Sequence, residues 1–338
     1  MEKKVIIIGA GLAGIEAASQ LAGNNIQVCL LEKENETGGN VKNWVKLFPD
    51  FTDADGIRKN LSEKLNHKNI ELKTAFQVEK LYAENKKWFV RSNSGEICEA
   101  DAVLLSSGFE PFDASRKEEL GYGIYDNVIT SVEFEKMTKK NKILTAQGKT
   151  PKLIAFLNCV GSRDETTGNH YCSRLCCINA VKQAIEYKEL VPDGEANVFY
   201  MDLRMSGQCY EELYRRSQQD FSVNYIRGRI SEASGTIDKR VQIKAEDTLA
   251  GLPMKITVDM LVLMVGMEPA QSTKLLSRQN NIEGEYGFAK ASGLFFNDNK
   301  TDRKGFFLAG TCKRPLTIPE TIADARAAAV NVMEYLKN

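Results

Sequence analysis

The sequence has no excess of charge of either sign: 45 lysines and arginines balance 45 aspartates and glutamates. Nothing in that balance points to nucleic acid or an anionic membrane surface as a partner. Long hydrophobic runs are also missing, since none approaches the ~18 residues that spanning a bilayer requires. The opening, MEKKVIIIGAG, has a basic pair, but its apolar run is short and dissolves into glycines. It lacks the long apolar region and cleavage site of a signal peptide and reads as the first strand of the fold. Cytoplasm is therefore the expected location, with no direct membrane insertion.

What is present is cysteine, unevenly used. Cys29, Cys98, Cys209 and Cys312 are scattered, whereas Cys159, Cys172, Cys176 and Cys177 fall within nineteen residues. A secreted chain of this size more often spreads paired cysteines along its length. A tight cluster without an export signal points to metal, cluster or redox chemistry in a reducing compartment. At 338 residues the chain is long enough for two domains, each with its own core.

The N-terminal segment KKVIIIGAGLAGIEAASQLAGNNIQVCLLEKE carries a dinucleotide site. Val5–Ile8 form an apolar run typical of a strand buried on both faces. Gly9, Gly11 and Gly14 give G-x-G-x-x-G ahead of a run of helix formers. The first glycine permits the tight turn and the second lets backbone approach a pyrophosphate. The third lets helix and strand pack closely, with the helix N-terminus facing the phosphates. A second strand, Gln27–Leu31, ends at Glu32-Lys33, where the acid can accept hydrogen bonds from ribose hydroxyls.

Three further segments resemble the FAD-binding lobe of two-dinucleotide-binding-domain flavoproteins, the glutathione and thioredoxin reductase group. ETGGN contributes the pair Gly38-Gly39, and ADAVLLSSGFEP ends a strand at Ser107-Gly108. GFFLAGTCKRPLTIPET is similar to the closing segment of that group, with Ala309-Gly310-Thr311 where its members usually read A-G-D. A helix is expected to start at Pro319, aiming free N–H groups at the flavin's pyrimidine edge. The resemblance implies Rossmann-type sheets in an α/β fold and FAD as cofactor. Gly310 and Thr311 stand at the ribityl position.

Between Thr150 and Gly266 strand and helix alternate again, as a mostly parallel sheet with helices on its faces requires. In a pyridine-nucleotide reductase the first turn of this unit carries closely spaced glycines. Here it reads Cys159-Val160-Gly161-Ser162-Arg163-Asp164, which argues against NAD(P)H binding. The spacing C-x12-C-x3-C-C leaves three readings open. A zinc site needs four thiolates under ~4 Å apart, which adjacent Cys176 and Cys177 make awkward on a helix. An iron–sulfur cubane takes each thiolate on a different iron and tolerates neighbours better. A redox disulfide would pair Cys172 with Cys176.

The segments CVGSRDE…YCSRLCC, LLSSGFEPFDASRKEELGYGIYDNVITSVEFE, FYMDLRMSGQCYEELYRRSQ and AGTCKRPLTIPET are similar to the core of the heterodisulfide reductase A subunit. The similarity runs along nearly the whole chain. It implies a [4Fe–4S] cluster held by Cys159, Cys172, Cys176 and Cys177 beside FAD. It also implies partners resembling the B and C subunits of heterodisulfide reductase, and a homodimer as the common family state. The long members carry C-x2-C-x2-C-x3-C runs that this chain lacks, so it resembles the short form of sulfur-oxidising complexes. The expected domains are 1–145 with 267–338 for FAD and an inserted 146–266 for the cluster. KKNKILTAQGKTPK reads as a solvated interdomain linker.

Other residues have plainer readings. Cys29, Cys98, Cys209 and Cys312 are expected to be inert thiols, and His170 a solvated loop side chain. Arg163 and Arg174 bracket the cysteines and either raise a cluster's potential or serve the surface. Two other functions fit less of the sequence. One is an NAD(P)H-dependent thiol–disulfide oxidoreductase using Cys172 and Cys176; the other is a non-catalytic assembly role.

Overall fold

The computed structural model describes residues 2–337. The chain divides into two compact units: Met1–Lys42 with Ala54–Glu110 and Glu268–Asn338, and Asn43–Asp53 with Pro111–Met267. In chain order the first contributes β1 (Lys4–Ile8), α1 (Leu12–Gly23), β2 (Gln27–Leu31), β3 (Ile70–Lys73) and β4 (Ala102–Leu105). The second is built from β5 (Val128–Thr130), α2 (Ser131–Lys139), β6 (Leu153–Val160), α3 (Cys176–Leu190) and β7 (Glu195–Tyr200). It continues with α4 (Tyr210–Gln219), β8 (Asn224–Arg227) and β9 (Met260–Val265). The chain returns to the first unit with β10 (Phe306–Leu308) and α5 (Ile318–Lys337).

The two main sheets run β10-β4-β1-β2-β3 and β5-β9-β6-β7-β8, with every pair parallel. Val5–Ile8, Val28–Leu31 and Ala102–Leu105 are buried throughout, as strands covered on both faces must be. In each sheet the strand order reverses beside one strand, β1 in the first and β6 in the second. Such a reversal opens a crevice beyond the carboxyl ends of the strands, where open α/β sheets bind ligands. A three-stranded antiparallel ribbon completes each unit, 78–100 in the first and 230–258 in the second. Among the described residues no helix is long and apolar enough to cross a membrane.

The units divide elsewhere than at residues 145 and 146. The chain leaves the first unit after Glu110 and re-enters it at Glu268. Residues 111–145 go with the second unit because β5 pairs with β9, Val128 opposite Leu261, and Phe134 and Ile143 enter its core. Segment 139–152, expected as an interdomain linker, therefore lies inside that unit. Its polar composition hides this, because a buried amide rather than apolar packing fixes part of it: Asn127 Oδ1 accepts the Ala146 N–H at 2.8 Å.

Candidate functional site

In the first unit β1 ends at Ile8 and Gly9 turns the chain at φ +106°. A Cβ at Gly9 would sit 2.6 Å from the Ser106 carbonyl oxygen, and one at Gly14 only 1.9 Å from the Gly9 carbonyl oxygen. Hydrogen alone fits either place. The Gly38 N–H donates to the Ala10 carbonyl at 2.8 Å, which sets the pair Gly38-Gly39 beside Gly11. Gly310 packs against Ala13 of α1, and Gly108 faces the Thr311 hydroxyl. The structure thus collects Gly9, Gly11, Gly14, Gly38, Gly39, Gly108, Gly310 and Thr311 around the start of α1. That arrangement leaves a strip of bare backbone at a helix N-terminus, which suits a pyrophosphate.

Glu32 is buried at the end of β2. Its Oε2 accepts the Ala10 N–H at 2.8 Å and its Oε1 the Glu34 N–H at 3.0 Å. The carboxylate therefore pins the glycine loop, and each oxygen keeps a lone pair for a ribose hydroxyl. Lys33 turns away to carboxylates, 3.6 Å from Glu110 and 3.9 Å from Glu34.

The closing segment differs from expectation at its helix. Helix α5 starts at Ile318, one residue before Pro319. A capping box precedes it: the Glu320 carboxylate accepts the Thr317 N–H at 2.8 Å, and the Thr317 hydroxyl accepts the Glu320 N–H at 3.3 Å. With Pro319 lacking an N–H and Glu320's engaged, Ile318 has the one first-turn donor that the cap leaves over. The expected fan of free N–H groups is thus reduced to a single group. A carboxylate does reach the A-G-T turn, but from α5, where Asp324 Oδ2 accepts the Gly310 N–H at 2.6 Å. Lys313, buried, bridges Asp324 at 2.6 Å and Asp298 at 2.9 Å. Nothing in the spacing of Asp324 announces this role.

In the second unit β6 holds the place that β1 holds in the first, and the cysteine segment follows it. The ladder between β6 and β9 shifts register between Leu157 and Val160, and Cys159 stands in that bulge at φ +63°. A bulge re-aims a side chain at the end of a strand. Gly161 makes the turn at φ +75°, where a Cβ would strike the Phe112 ring at 2.0 Å. Asp164 then ties the loop down. Its Oδ1 accepts the Thr166 N–H at 3.0 Å and hydroxyl at 2.8 Å, and its Oδ2 lies 2.9 Å from Lys117. Cys176 and Cys177 open α3.

All four cysteines carry free thiols. Burial pushes Cys159 up to about 11, with Cys177 and Cys172 adding to the rise. Burial also drives Cys176 well above the usual thiol range, reinforced by Cys159, Cys177 and Cys172. Each of the four is therefore an electrostatic neighbour of others in the set. Among the described residues, however, no three histidine, cysteine, aspartate or glutamate side chains are drawn in as one metal ion would hold them. Sulfurs around a single zinc sit within about 4 Å of one another. A cubane, with a thiolate on each iron, accepts a wider set.

Orphaned polar atoms adjoin Cys159 in the chain. Asn158 Nδ2 and Oδ1, Ser162 Oγ and Arg163 Nη1 are all buried without a hydrogen-bond partner. Buried polar groups are nearly always paired, so this concentration marks a place for an electron-rich group. The cysteine donor set and its polar surroundings fit an iron–sulfur cluster. His170 and Arg174 are at the surface. Cys312 is fully buried, its Sγ 3.3 Å from the Leu105 carbonyl oxygen, and burial raises it to about 12. Cys98, which sequence spacing left without a partner, lies 4.0 Å from Cys29 between sulfurs.

The family described as pyridine nucleotide-disulphide oxidoreductase matches residues 3–144, ending before β6 and its cysteines. The A subunit of the H2/formate:CoB-CoM heterodisulfide,ferredoxin reductase of Methanococcus maripaludis is 31% identical over 97% of this chain and 63% of its own length. The iron-sulfur A subunit of the CoB–CoM heterodisulfide reductase of Methanocaldococcus jannaschii is also 31% identical, over 97% of this chain and 64% of its own. Along nearly its whole length the chain is similar to heterodisulfide reductase A subunits. It spans a little under two thirds of the length of these relatives. Thioredoxin reductase from T. acidophilum superposes with a TM-score of 0.70 at 18% identity, covering 100% of both chains. The Lactococcus lactis enzyme gives 0.69 at 16%, covering 99% of both. The fold is that of thioredoxin reductase, while the sequence is more similar to heterodisulfide reductase A subunits.

Proposed function

We propose that this chain is an oxidoreductase component that binds FAD and a [4Fe–4S] cluster. It passes electrons between the flavin and partners resembling the B and C subunits of heterodisulfide reductase, in disulfide or sulfur metabolism in the cytoplasm. One observation carries the reading: after β6, thiols and orphaned donors occupy the position that the glycine loop occupies after β1. The name of the M. jannaschii relative, which calls it an iron-sulfur subunit, supports it. Together a flavin supplies two-electron chemistry and a cluster single-electron steps. In this chain the start of α1 holds the pyrophosphate and Glu32 meets the ribose. Gly310 and Thr311 meet the ribityl chain, and Cys159, Cys172, Cys176 and Cys177 ligate iron. The test is anaerobic reconstitution followed by flavin, iron and sulfide counts. About one flavin and four irons per chain is expected; bound FAD without iron or sulfide would sink the proposal.

The thioredoxin reductase fold favours a second reading, an NAD(P)H-fed thiol–disulfide reductase using Cys172 and Cys176. Rapid bleaching of the flavin by NADPH would support it, and slow or absent bleaching supports the first.

A further inference from the structure

We infer that Arg163, with Ser162 and Asn158, forms a sulfur-facing donor set that raises the reduction potential of the cluster held by the four cysteines. The inference rests on the cluster reading above and adds a role for three residues that ligate nothing.

Four features place the set. Asn158 precedes Cys159 within the bulge of β6, and both polar atoms of its amide are buried and unpaired. The Ser162 hydroxyl is likewise buried and unpaired, in the loop that follows Cys159. Arg163 takes φ +52°, an uncommon conformation for a bulky residue. Its Nη2 is anchored on Asp202 Oδ2 at 2.7 Å, while Nη1 is buried without a partner. The Asp202 carbonyl in turn accepts a weak bond from the Cys177 thiol at 3.6 Å. One residue therefore holds both the guanidinium and a ligand in place.

Cys159 and Cys177 both lie within electrostatic reach of that guanidinium. Adding an electron makes a cluster more negative. A fixed cation and fixed N–H and O–H donors stabilise that state more than the oxidised one. Arg163 is only 21% exposed at its side chain, so water screens it less than the exposed Arg174. Asp202 offsets part of the charge, but it is engaged through Nη2 and leaves Nη1 unpaired.

The experiment is a redox titration of the reconstituted full chain, following the reduced-cluster signal by electron paramagnetic resonance. In Arg163→Gln the reduced-to-oxidised ratio at the wild-type midpoint should fall about tenfold, a shift of about 59 mV for one electron. Arg163→Lys should shift less, because charge remains while the fork is lost. Ser162→Ala should shift in the same direction by less again. If Arg163→Gln assembles no cluster, the other two variants carry the test. Fully loaded variants with the wild-type midpoint would overturn this inference and leave the cluster reading standing. A wild-type chain that takes up no iron or sulfide would overturn both.

Discussion

Lys182 places its ammonium 2.7 and 2.8 Å from the two carboxylate oxygens of Glu135, with both side chains buried. Glu186 approaches the same ammonium at 3.5 Å, and the Lys46 carbonyl accepts from it at 2.9 Å. Two carboxylates thus share one cation inside the second unit, on the helix whose first residues are Cys176 and Cys177. Removing the cation leaves the Glu135 carboxylate buried without its counter-charge, with Glu186 beside it. Lys182→Met should therefore destabilise the fold by about 3–5 kcal/mol, read from urea unfolding. A loss under about 1 kcal/mol, the size of an exposed ion pair, would show that water reaches this group.

The same triad gives a pH dependence of defined sign. Burial raises Glu186 to about 7, with Glu135 adding and Lys182 opposing. The folded state therefore holds a proton that the unfolded chain releases near 4.5. The stability this contributes is fully present below pH 4.5 and is lost as pH rises through about 7. Lowered carboxylates such as Asp164 and Asp298 act oppositely, but they are common to wild type and variant. The difference between Glu186→Gln and wild type isolates the one group. Between about pH 4.5 and 8 that difference should move in favour of the variant by on the order of 2–3 kcal/mol. Parallel stability curves would contradict it.

Thiol reactivity should separate the cysteines by depth. Cys209 is exposed ahead of α4, and a soluble aromatic disulfide reagent should label it within seconds to minutes. Cys29 and Cys312 are buried, and burial lifts each to about 12, so few thiolates form at neutral pH. Cys98 lies against Cys29 and is buried with it. These three should react only after denaturation. Mass spectrometry after a timed pulse checks the order, and early labelling of Cys312 would place it in an accessible site.

Much of this was legible in the chain. The strands β1, β2 and β4 announced themselves because parallel strands buried on both faces leave unbroken apolar runs. The glycine loop was legible because φ +106° at Gly9 and the 1.9 Å approach at Gly14 tolerate no other residue. The unit boundary was not, because short β5 carries only three residues and its pairing with β9 is remote in sequence. Asp324 was hidden because it reaches Gly310 from a helix 14 residues on. Asn158 and Ser162 were hidden because their significance is a missing partner, which appears only once burial is known.

Two glycines of the same loop should respond to alanine in opposite ways, and the contrast tests whether a nucleotide lies there. At Gly14 a methyl group would sit 1.9 Å from the Gly9 carbonyl oxygen, rigid backbone that cannot retreat. Gly14→Ala should thus lower stability by roughly 1–3 kcal/mol or more, in the range for overpacking. Gly11 has φ −83°, which alanine adopts freely, and its methyl would find nothing nearer than Gly39 Cα at 3.8 Å. The protein itself gives no reason for glycine there. If the backbone is bare so that a pyrophosphate can approach it, Gly11→Ala should melt at the wild-type temperature when both are stripped of flavin. It should then rebind FAD at least tenfold more weakly, measured by fluorescence titration. Equal FAD affinity in Gly11→Ala would move the nucleotide away from α1.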